Sequence, residues 1–507
     1  MEGRRGRRAG PAVPRRVLAV SELAFLSARE ALQLFSAREL SPVELMTAVL
    51  ERVDETDPDI NAFSARYPDA ALDGARSAER RYRRGGPEVR PLDGLPVAIK
   101  ELTPVAGQQH TLGSLALADN VATETAPAAA RVIEAGGIVH GRTTTPEFGC
   151  ASYTHSRLYG MTRNPWNADY SPAGSSGGAA AALATGATAL AQGTDSAGSL
   201  RLPAASCGVV GYKPPAGRVP GLAPLNLEPC NHDGPMARSV DDCALLYRVM
   251  AQPDLIADPA TARPPLELPT ELDGVEGFRI AMLAGIGGLD VDADVAANVR
   301  AAGSALGDAG AVLEEIDLGW DYDRIIRATK LHFAATYGPM VQRVTDAFPD
   351  LVTSYAADFA RQELRVHRET PGFLLQANEL TAELWAPLAD LFRRADALLL
   401  PTLAIPAPRA GEEFLDSGPV IDGVEQPDRW TVGFTVPFNL CNWCPAMSVP
   451  SGLGRDGLPT GVQIVGRPYD DLSVFRVGKT LEQVSPWLDG QGRWPGPQRR
   501  QPERSER

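Results

Sequence analysis

Cysteine is scarce in this sequence, with six residues in a chain of 507, scattered from Cys150 to Cys444. Thiols so few and so dispersed argue against a disulfide scaffold and favour a reducing compartment, so we expect a cytoplasmic protein. Long apolar runs are missing as well. No stretch of about eighteen consecutive apolar residues occurs, and no membrane span is therefore predicted.

Positive charge is also in short supply, since 49 lysines and arginines face 63 aspartates and glutamates, for a net charge of −14. This balance disfavours nucleic acid or an anionic membrane as the main partner. The six histidines show no metal-ligand spacing. The pair Cys441 and Cys444 has no second pair to complete a zinc site, and we assign it to core packing. The spacing of histidines and cysteines therefore predicts no metal site.

Between the chain ends, helical and strand patterns alternate, which is typical of a mixed α/β core. Ser41, Pro42 and Glu44 form a capping-box helix start, and Asp57-Pro58 is expected to end that helix. Short apolar runs predict strands at 97–99, 138–143, 395–406, 445–452 and 459–468. Residues 320–394 are mostly helical in pattern and are expected to cap the core.

One stretch, residues 171–203, holds two serine clusters in glycine-rich surroundings: GSSGG at 174–178 and DSAGS at 195–199. From Ala173 to Ala187, eleven of fifteen residues are Gly or Ala, and none is charged. Such a composition suits a backbone packed very close to its neighbours. We predict a buried helix with one serine beside its N-terminal end and another in the loop that follows it.

The residues admit several chemical interpretations. GSSGG matches the G-x-S-x-G nucleophile elbow, with Ser176 as the nucleophile, but a proline-bracketed loop precedes it where that motif requires a strand. No Gly-Lys-Ser/Thr follows, as phosphate binding would require. Tight packing alone could also explain the glycines. Lys100, which ends an apolar strand, would tend to be neutral if buried. A lysine-activated serine is the interpretation that uses Lys100 and both serine clusters.

Several motifs, taken in order, resemble the amidase signature family of Ser-Ser-Lys amide hydrolases. They are GLPVAIKE at 94–101, GRTTTPEFG at 141–149, SPAGSSGG at 171–178, GTDSAGSLRLPAASCGVVGYKP at 193–214 and VPFNLCNWCPAMSVPSG at 436–452. The resemblance implies an α/β fold with a central mixed β-sheet enclosed by α-helices in a single large domain. That domain would span residues 21–490, with its signature core at about 90–250 and the helical cap at about 320–394. Residues 1–20, rich in arginine, and residues 491–507 are predicted to be disordered.

The same resemblance implies roles for individual residues. Lys100 would be the base, Ser175 a bridging serine with a cis peptide bond, and Ser199 the nucleophile, 24 residues after Ser175. The oxyanion would be held by backbone N–H groups of Ser196, Ala197, Gly198 and Ser199. Supporting roles fall to Ser176 and to a loop-holding pair, Asp195 and Arg201.

Two positions depart from the commoner family pattern. Ala197 stands where Gly is usual, so either the loop differs slightly or this position never needed a positive φ. Together with TRNPWN and FTVPFN, this Ala resembles the branch of the family that contains 6-aminohexanoate cyclic-dimer hydrolase. Glu101 replaces the more usual Asp. The aromatic residues Phe434, Phe438 and Trp443 either line an acyl pocket or belong to the core.

The implied function is hydrolysis of a non-peptide, cyclic or aryl carboxamide to acid and amine through a serine acyl-enzyme, without metal or cofactor. One alternative is the glutaminase subunit of a tRNA-dependent amidotransferase. Others are an ester or urethane hydrolase on the same triad, and a non-catalytic binding protein that keeps the fold. The expected partner is a small amide substrate rather than nucleic acid or membrane. The sequence is also compatible with a homodimer.

Overall fold

The computed structural model describes residues 20–261, 266–415 and 417–487. The predictions of disorder for residues 1–20 and 491–507 fall almost entirely outside these ranges. Fifteen β-strands lie in the described residues: β1 (Phe63–Arg66), β2 (Pro96–Lys100), β3 (Ile138–Thr143), β4 (His155–Ser156), β5 (Gly160–Met161), β6 (Leu190–Asp195), β7 (Val210–Lys213), β8 (His232–Ala237), β9 (Arg279–Met282), β10 (Val312–Glu315), β11 (Ala397–Pro401), β12 (Val420–Ile421), β13 (Val424–Glu425), β14 (Ala446–Leu453) and β15 (Pro459–Gly466).

The same ranges hold fifteen α-helices, several of which begin at the proline or the capping serine that the sequence supplies. They are α1 (Val20–Leu23), α2 (Ala28–Ala37), α3 (Pro42–Ile60), α4 (Pro68–Arg84), α5 (Pro127–Glu134), α6 (Gly177–Ala184), α7 (Arg201–Cys207), α8 (Val240–Met250), α9 (Ala293–Asp308), α10 (Tyr322–Ala335), α11 (Tyr337–Ala347), α12 (Ser354–Glu369), α13 (Phe373–Phe392), α14 (Pro437–Leu440) and α15 (Asp471–Val484). None of these helices is long and apolar enough to cross a bilayer.

Eleven strands form one mixed sheet in the order β1-β3-β2-β6-β8-β7-β14-β15-β11-β9-β10. Parallel pairing joins β2 to β3 and to β6, and joins β9 to β10 and to β11, whereas the pairs in between are antiparallel. Helices enclose the sheet on both faces, so the predicted fold class is confirmed. The predicted strands at 97–99, 138–143, 395–406, 445–452 and 459–468 all belong to this sheet.

Alternation along the strands separates the two faces of the core. In β2, Val97 and Ile99 pack into a large cluster, whereas Ala98 packs with the alanines of α6 on the other face. Because side chains of a strand alternate, Lys100 lies on the same side of β2 as Ala98. In β11 the same alternation places Leu398 and Leu400 against the helical cap, α10 to α13, as the pattern of residues 320–394 predicted.

Two local predictions are wrong. Helix α3 does not end at Asp57-Pro58 but runs through Pro58 to Ile60 and stops at Asn61, which has a left-handed φ of 57°. A proline in the last turn removes only one helical N–H, and the Asp57 carboxylate accepts from the backbone N–H of Ala62 and Phe63 just beyond the helix. The loop that carries Ser199 was expected to follow α6 directly, yet Leu190–Asp195 first forms β6, an interior strand of the sheet.

Candidate active site

Lys100 ends β2 with its side chain completely buried. Its Nζ lies 2.7 Å from Ser175 Oγ and 2.8 Å from Thr194 Oγ1. Burial disfavours the ammonium form and lowers the pKa of Lys100 to about 7, although Asp195, Asp233 and Glu101 act in the opposite direction. A large fraction of Lys100 is therefore a neutral amine at neutral pH, as the sequence predicted.

Ser175 stands two residues before the start of α6, next to its N-cap residue Ser176, and the peptide bond between Gly174 and Ser175 is cis, as the resemblance implied. The glycines around it allow a very close approach of backbone. A Cβ on Gly174 would lie 2.6 Å from the carbonyl oxygen of Tyr153, and one on Gly178 would lie 2.5 Å from the amide nitrogen of Thr144. Helix α6 is buried along its whole length, which confirms the prediction made from its alanines.

Ser199 lies in the loop between β6 and α7, half-buried at the wall of the cavity that Ser175 also lines. Its carbonyl oxygen accepts from the backbone N–H of Ser176 at 3.1 Å, which ties the two serine clusters together. Among the described residues the Ser199 hydroxyl has no hydrogen-bond partner and is free to face a ligand. The structure thus brings Lys100, Ser175 and Ser199 to one place.

The loop that carries Ser199 is held by Asp195 and Arg201. Both side chains are fully buried, and the guanidinium donates to both carboxylate oxygens at 2.9 Å. Although burial alone would raise it, the Arg201 charge and the hydrogen bonds from Arg201 and Asn439 hold the pKa of Asp195 well below its usual range. Arg201 also donates to the carbonyl of Thr435 at 2.9 Å and to Gln463 Oε1 at 2.6 Å. This geometry agrees with the predicted loop-holding pair.

The backbone N–H groups of the loop divide into engaged and available donors. Gly198 donates to Asp195 Oδ1 at 2.7 Å, so the expectation that its N–H joins the oxyanion donors requires correction. Those of Ser196, Ala197 and Ser199 have no acceptor among the described residues. Gly198 has a φ of 122°. The φ of Ala197 is not positive, so the backbone at this position does not require glycine.

The cavity beside these groups has a volume of about 610 Å³ and a mainly apolar wall. Phe148 and residues of the cap, among them Phe333 and Phe359, contribute aromatic side chains to it. Phe434 and Phe438 are instead buried in the hydrophobic cluster beneath the cap, and Trp443 packs against that cluster. Phe434, Phe438 and Trp443 therefore belong to the hydrophobic core, and the alternative that they line an acyl pocket is wrong.

Other sequence candidates lie outside a catalytic arrangement. Cys441 and Cys444 are buried free thiols in the core cluster, as assigned. The Nδ1 atom of His232 lies 3.1 Å from the carbonyl oxygen of Asp195 and takes no part in a serine triad. Glu101 is fully buried and accepts from Thr111, and burial raises its pKa to about 7.

Sequence reasoning missed residues that reach the site from other parts of the fold. Thr194, the last but one residue of β6, presents the second hydroxyl to Lys100. Tyr337, from α11, places its hydroxyl 2.7 Å from Ser196 Oγ and 3.1 Å from Asn231 Oδ1. No local motif marks these residues, because their roles follow from the folding of separate elements onto one loop.

One group within the described residues could hold a metal ion. Glu228, Cys230 and His332 are buried, and one potential ligand atom from each lies within 4.8 Å of the others. Cys230 already donates its backbone N–H to Glu228 Oε1 at 3.2 Å. The spacing of the three residues along the chain gave no sign of this cluster.

Comparison with known proteins gives a consistent picture. The family model described as Amidase matches residues 44–475. An acylamidase of Rhodococcus erythropolis is 34% identical over 479 residues, which cover 92% of this chain and 97% of that protein. A glutamyl-tRNA(Gln) amidotransferase subunit of Geobacter metallireducens is 30% identical over 490 residues, covering 92% and 98%.

Solved structures agree over the same length. A bacterial aryl acylamidase of the amidase signature enzymes superposes with a TM-score of 0.84 at 29% identity, covering 92% of this chain and 98% of that one. The structure of 6-aminohexanoate cyclic dimer hydrolase complexed with substrate gives a TM-score of 0.78 at 28% identity, with the same coverage.

Proposed function

Because the chain belongs to the amidase signature family and is a hydrolase of amide C–N bonds, we propose that Lys100, Ser175 and Ser199 carry out that hydrolysis. The observation that carries the proposal is the 2.7 Å approach of Lys100 Nζ to Ser175 Oγ at the wall that also presents Ser199. A neutral amine in this place has one lone pair, which can accept the Ser175 proton, while an N–H donates to Thr194.

The proposed reaction begins with two coupled proton transfers. The Ser199 hydroxyl, which has no partner among the described residues, first turns to Ser175. Lys100 then takes the proton of Ser175, which takes that of Ser199, and the Ser199 oxygen attacks the amide carbon. The tetrahedral intermediate collapses as the proton returns through Ser175 to the leaving nitrogen, which departs as an amine. Water then attacks the acyl-enzyme by the same relay and releases the carboxylic acid, restoring the Ser199 hydroxyl.

The oxyanion of each intermediate would be stabilised by the free backbone N–H groups of Ser196, Ala197 and Ser199. Fixed donors of this kind contribute about 3 to 4 kcal/mol each to transition-state stabilisation in acyl-transfer enzymes. The Asp195–Arg201 pair keeps the donors in place, because Asp195 binds the N–H of both Gly198 and Leu200. Neither Asp195 nor Arg201 needs to touch the substrate.

The apolar, partly aromatic cavity supports an aryl or otherwise apolar amide as the substrate. The resemblance to an aryl acylamidase and to a cyclic-amide hydrolase supports the same class. We infer the same triad for ester and urethane analogues of such amides, since the attacked carbonyl group is common to all three.

Ser199→Ala tests the nucleophile. The variant should lose hydrolysis of anilides by at least a thousandfold while its circular dichroism stays unchanged, because the attacking oxygen is gone. Ser152→Ala, which alters another serine of the same cavity wall, is the matched control and should keep its rate. Mass spectrometry after mixing wild type with a slow aryl ester should show one acyl group on Ser199. Full turnover by Ser199→Ala would refute the assignment.

A glutaminase role is the second candidate, favoured by relatives that belong to the glutamyl-tRNA(Gln) amidotransferase. Such a role predicts ammonia release from glutamine only with companion subunits. Hydrolysis of simple amides by the isolated chain would decide against it. We also propose a cytoplasmic setting, which the six free cysteines support, five of them buried.

A further inference from the structure

Arg429 lines the cavity from the short 3₁₀ turn Arg429–Val432, at the base of the helical cap. Its side chain is only 13% exposed, yet its contacts to acceptors are long. Nη2 lies 3.5 Å from Gln362 Oε1, and Nη1 lies 3.9 Å from Asp358 Oδ2. A guanidinium has five N–H donors. Most of those of Arg429 therefore have no acceptor among the described residues.

The acidic groups near Arg429 do not compensate for this. The Asp358 carboxylate is already engaged, since it accepts from Arg361 at 2.7 Å and from Gln362 at 2.6 Å. Glu363 is fully buried, and neither of its oxygens has a hydrogen-bond partner among the described residues. Burial raises the pKa of Glu363 to about 8, despite the opposing charges of Arg429 and Lys330, so it is mostly neutral at pH 7.

The charge of the cavity wall contrasts with that of the whole chain. The protein carries a net charge of −14, yet two arginines, Arg343 and Arg429, line the cavity against one acid, Asp233. Burial raises the pKa of Asp233 to about 7, although Gln192 and Lys100 lower it. Apart from the Phe359 ring, whose centroid lies 5.7 Å from its Cζ, Arg429 has only the two long contacts named above among the described residues, and a carboxylate in the cavity would supply a direct counter-charge.

We propose that Arg429 binds a carboxylate of the substrate, so that the preferred amides carry an anionic group away from the scissile bond. The inference rests on the proposed function and adds a substrate class to it. The carbon part of the ligand would lie against Phe333 and Phe359, and the planar guanidinium would pair with the carboxylate through two hydrogen bonds. A ligand of this size suits a cavity of about 610 Å³.

Paired probes test the proposal. Glutaranilate carries the carboxylate on the acyl side, and its neutral partner is valeranilide; 4-acetamidobenzoate carries it on the amine side, and its neutral partner is 4-methylacetanilide. For wild type, at least one carboxylated probe should exceed its neutral partner in kcat/KM. Arg429→Gln should lower kcat/KM for that probe by about 10- to 100-fold, mainly through KM, and change the neutral partner less than about twofold. Arg429→Lys should recover part of the loss.

Arg361→Gln is the matched control, because Arg361 contacts the same Asp358 from an exposed position outside the cavity. It should leave both probes of a pair unchanged. Equal losses on carboxylated and neutral probes in Arg429→Gln, or a wild-type preference for both neutral probes, would overturn the proposal. Calorimetric binding of the same four compounds to Ser199→Ala separates the two hypotheses. If wild type hydrolyses none of the four probes, the proposed function is wrong. The titrations still decide whether Arg429 binds a carboxylate, because binding to Ser199→Ala needs no turnover.

Discussion

Lys100 shows how a single residue shapes this site. Its ammonium form is surrounded by protein and finds two hydroxyl groups, those of Ser175 and Thr194, at hydrogen-bond distance. No carboxylate lies within 4.0 Å of its Nζ among the described residues. The protein thus accepts a cost for burying the charged form and obtains an amine whose lone pair is available near neutral pH.

That cost should be visible in the stability of the fold. The pKa of Lys100 is about 7 in the folded chain against 10.5 for the ordinary lysine value, so the unfolded state binds more protons between these limits. Wild type should therefore gain stability relative to Lys100→Met as pH rises from about 7 to about 10, by up to about 1.4 kcal/mol per pH unit. Below pH 7 the difference should be constant.

Urea unfolding of both proteins from pH 6 to pH 10 measures this difference in the free energy of unfolding. The comparison cancels groups that titrate alike in both proteins. A difference that does not change with pH would mean that Lys100 keeps an ordinary pKa in the folded state, and the neutral-lysine mechanism would lose its basis.

At the scale of elements, the helical cap reaches the catalytic loop through Tyr337. This residue opens α11, packs against Phe333 with ring centroids 5.0 Å apart, and directs its hydroxyl to Ser196 and Asn231. Ser196 supplies one of the free backbone N–H groups of the loop. We infer that Tyr337 is a positioning residue, because it acts on the oxyanion donors through Ser196.

Tyr337→Phe should lower kcat by about 3- to 10-fold, which is the value of one neutral hydrogen bond, and leave KM for a small anilide nearly unchanged. A purely structural role would instead lower thermal stability without this split between kcat and KM. Tyr82→Phe is the control, since its hydroxyl bonds to the carbonyl of Asp93, far from the loop. Steady-state kinetics and melting curves of both variants check the prediction.

The elements also show how far the sequence could lead. Capping and proline signals gave the start of α3, and the run of alanines gave α6, because both are local. Strand β6 was not predicted, because its sequence LAQGTD contains few β-branched residues and no regular alternation of apolar and polar residues. Its strand conformation results from pairing with β2 and β8. The roles of Tyr337 and Arg429 were not predicted either, because they also depend on long-range contacts. Their contacts join parts of the chain that no local pattern connects.

The whole molecule is organised by its sheet. Eleven strands are joined without a break, and strands from the C-terminal part, β14 and β15, lie between β7 and β11 in the order. The described residues therefore give no place where the sheet could divide into two independent halves. Hydrophobic clusters cover both of its faces.

We expect one cooperative unfolding transition for this domain. Tryptophan fluorescence is weighted towards the cap side, because four of the seven tryptophans, Trp320, Trp385, Trp430 and Trp443, lie in or against the cluster there, and far-ultraviolet circular dichroism reports the helices on both faces. The two signals should follow the same urea curve. Separate midpoints, with the cap melting first, would show that α10 to α13 form a unit of their own.

Arg201 has a further consequence, which concerns the order in which the protein is made. Its guanidinium is held by Thr435, Asn439 and Gln463, more than 230 residues later in the chain. A ribosome completes Lys100, Ser175 and Ser199 long before these partners exist. The nascent chain therefore carries all three proposed catalytic side chains before the residues that hold their loop are made, and we expect activity only after β15 has joined the sheet.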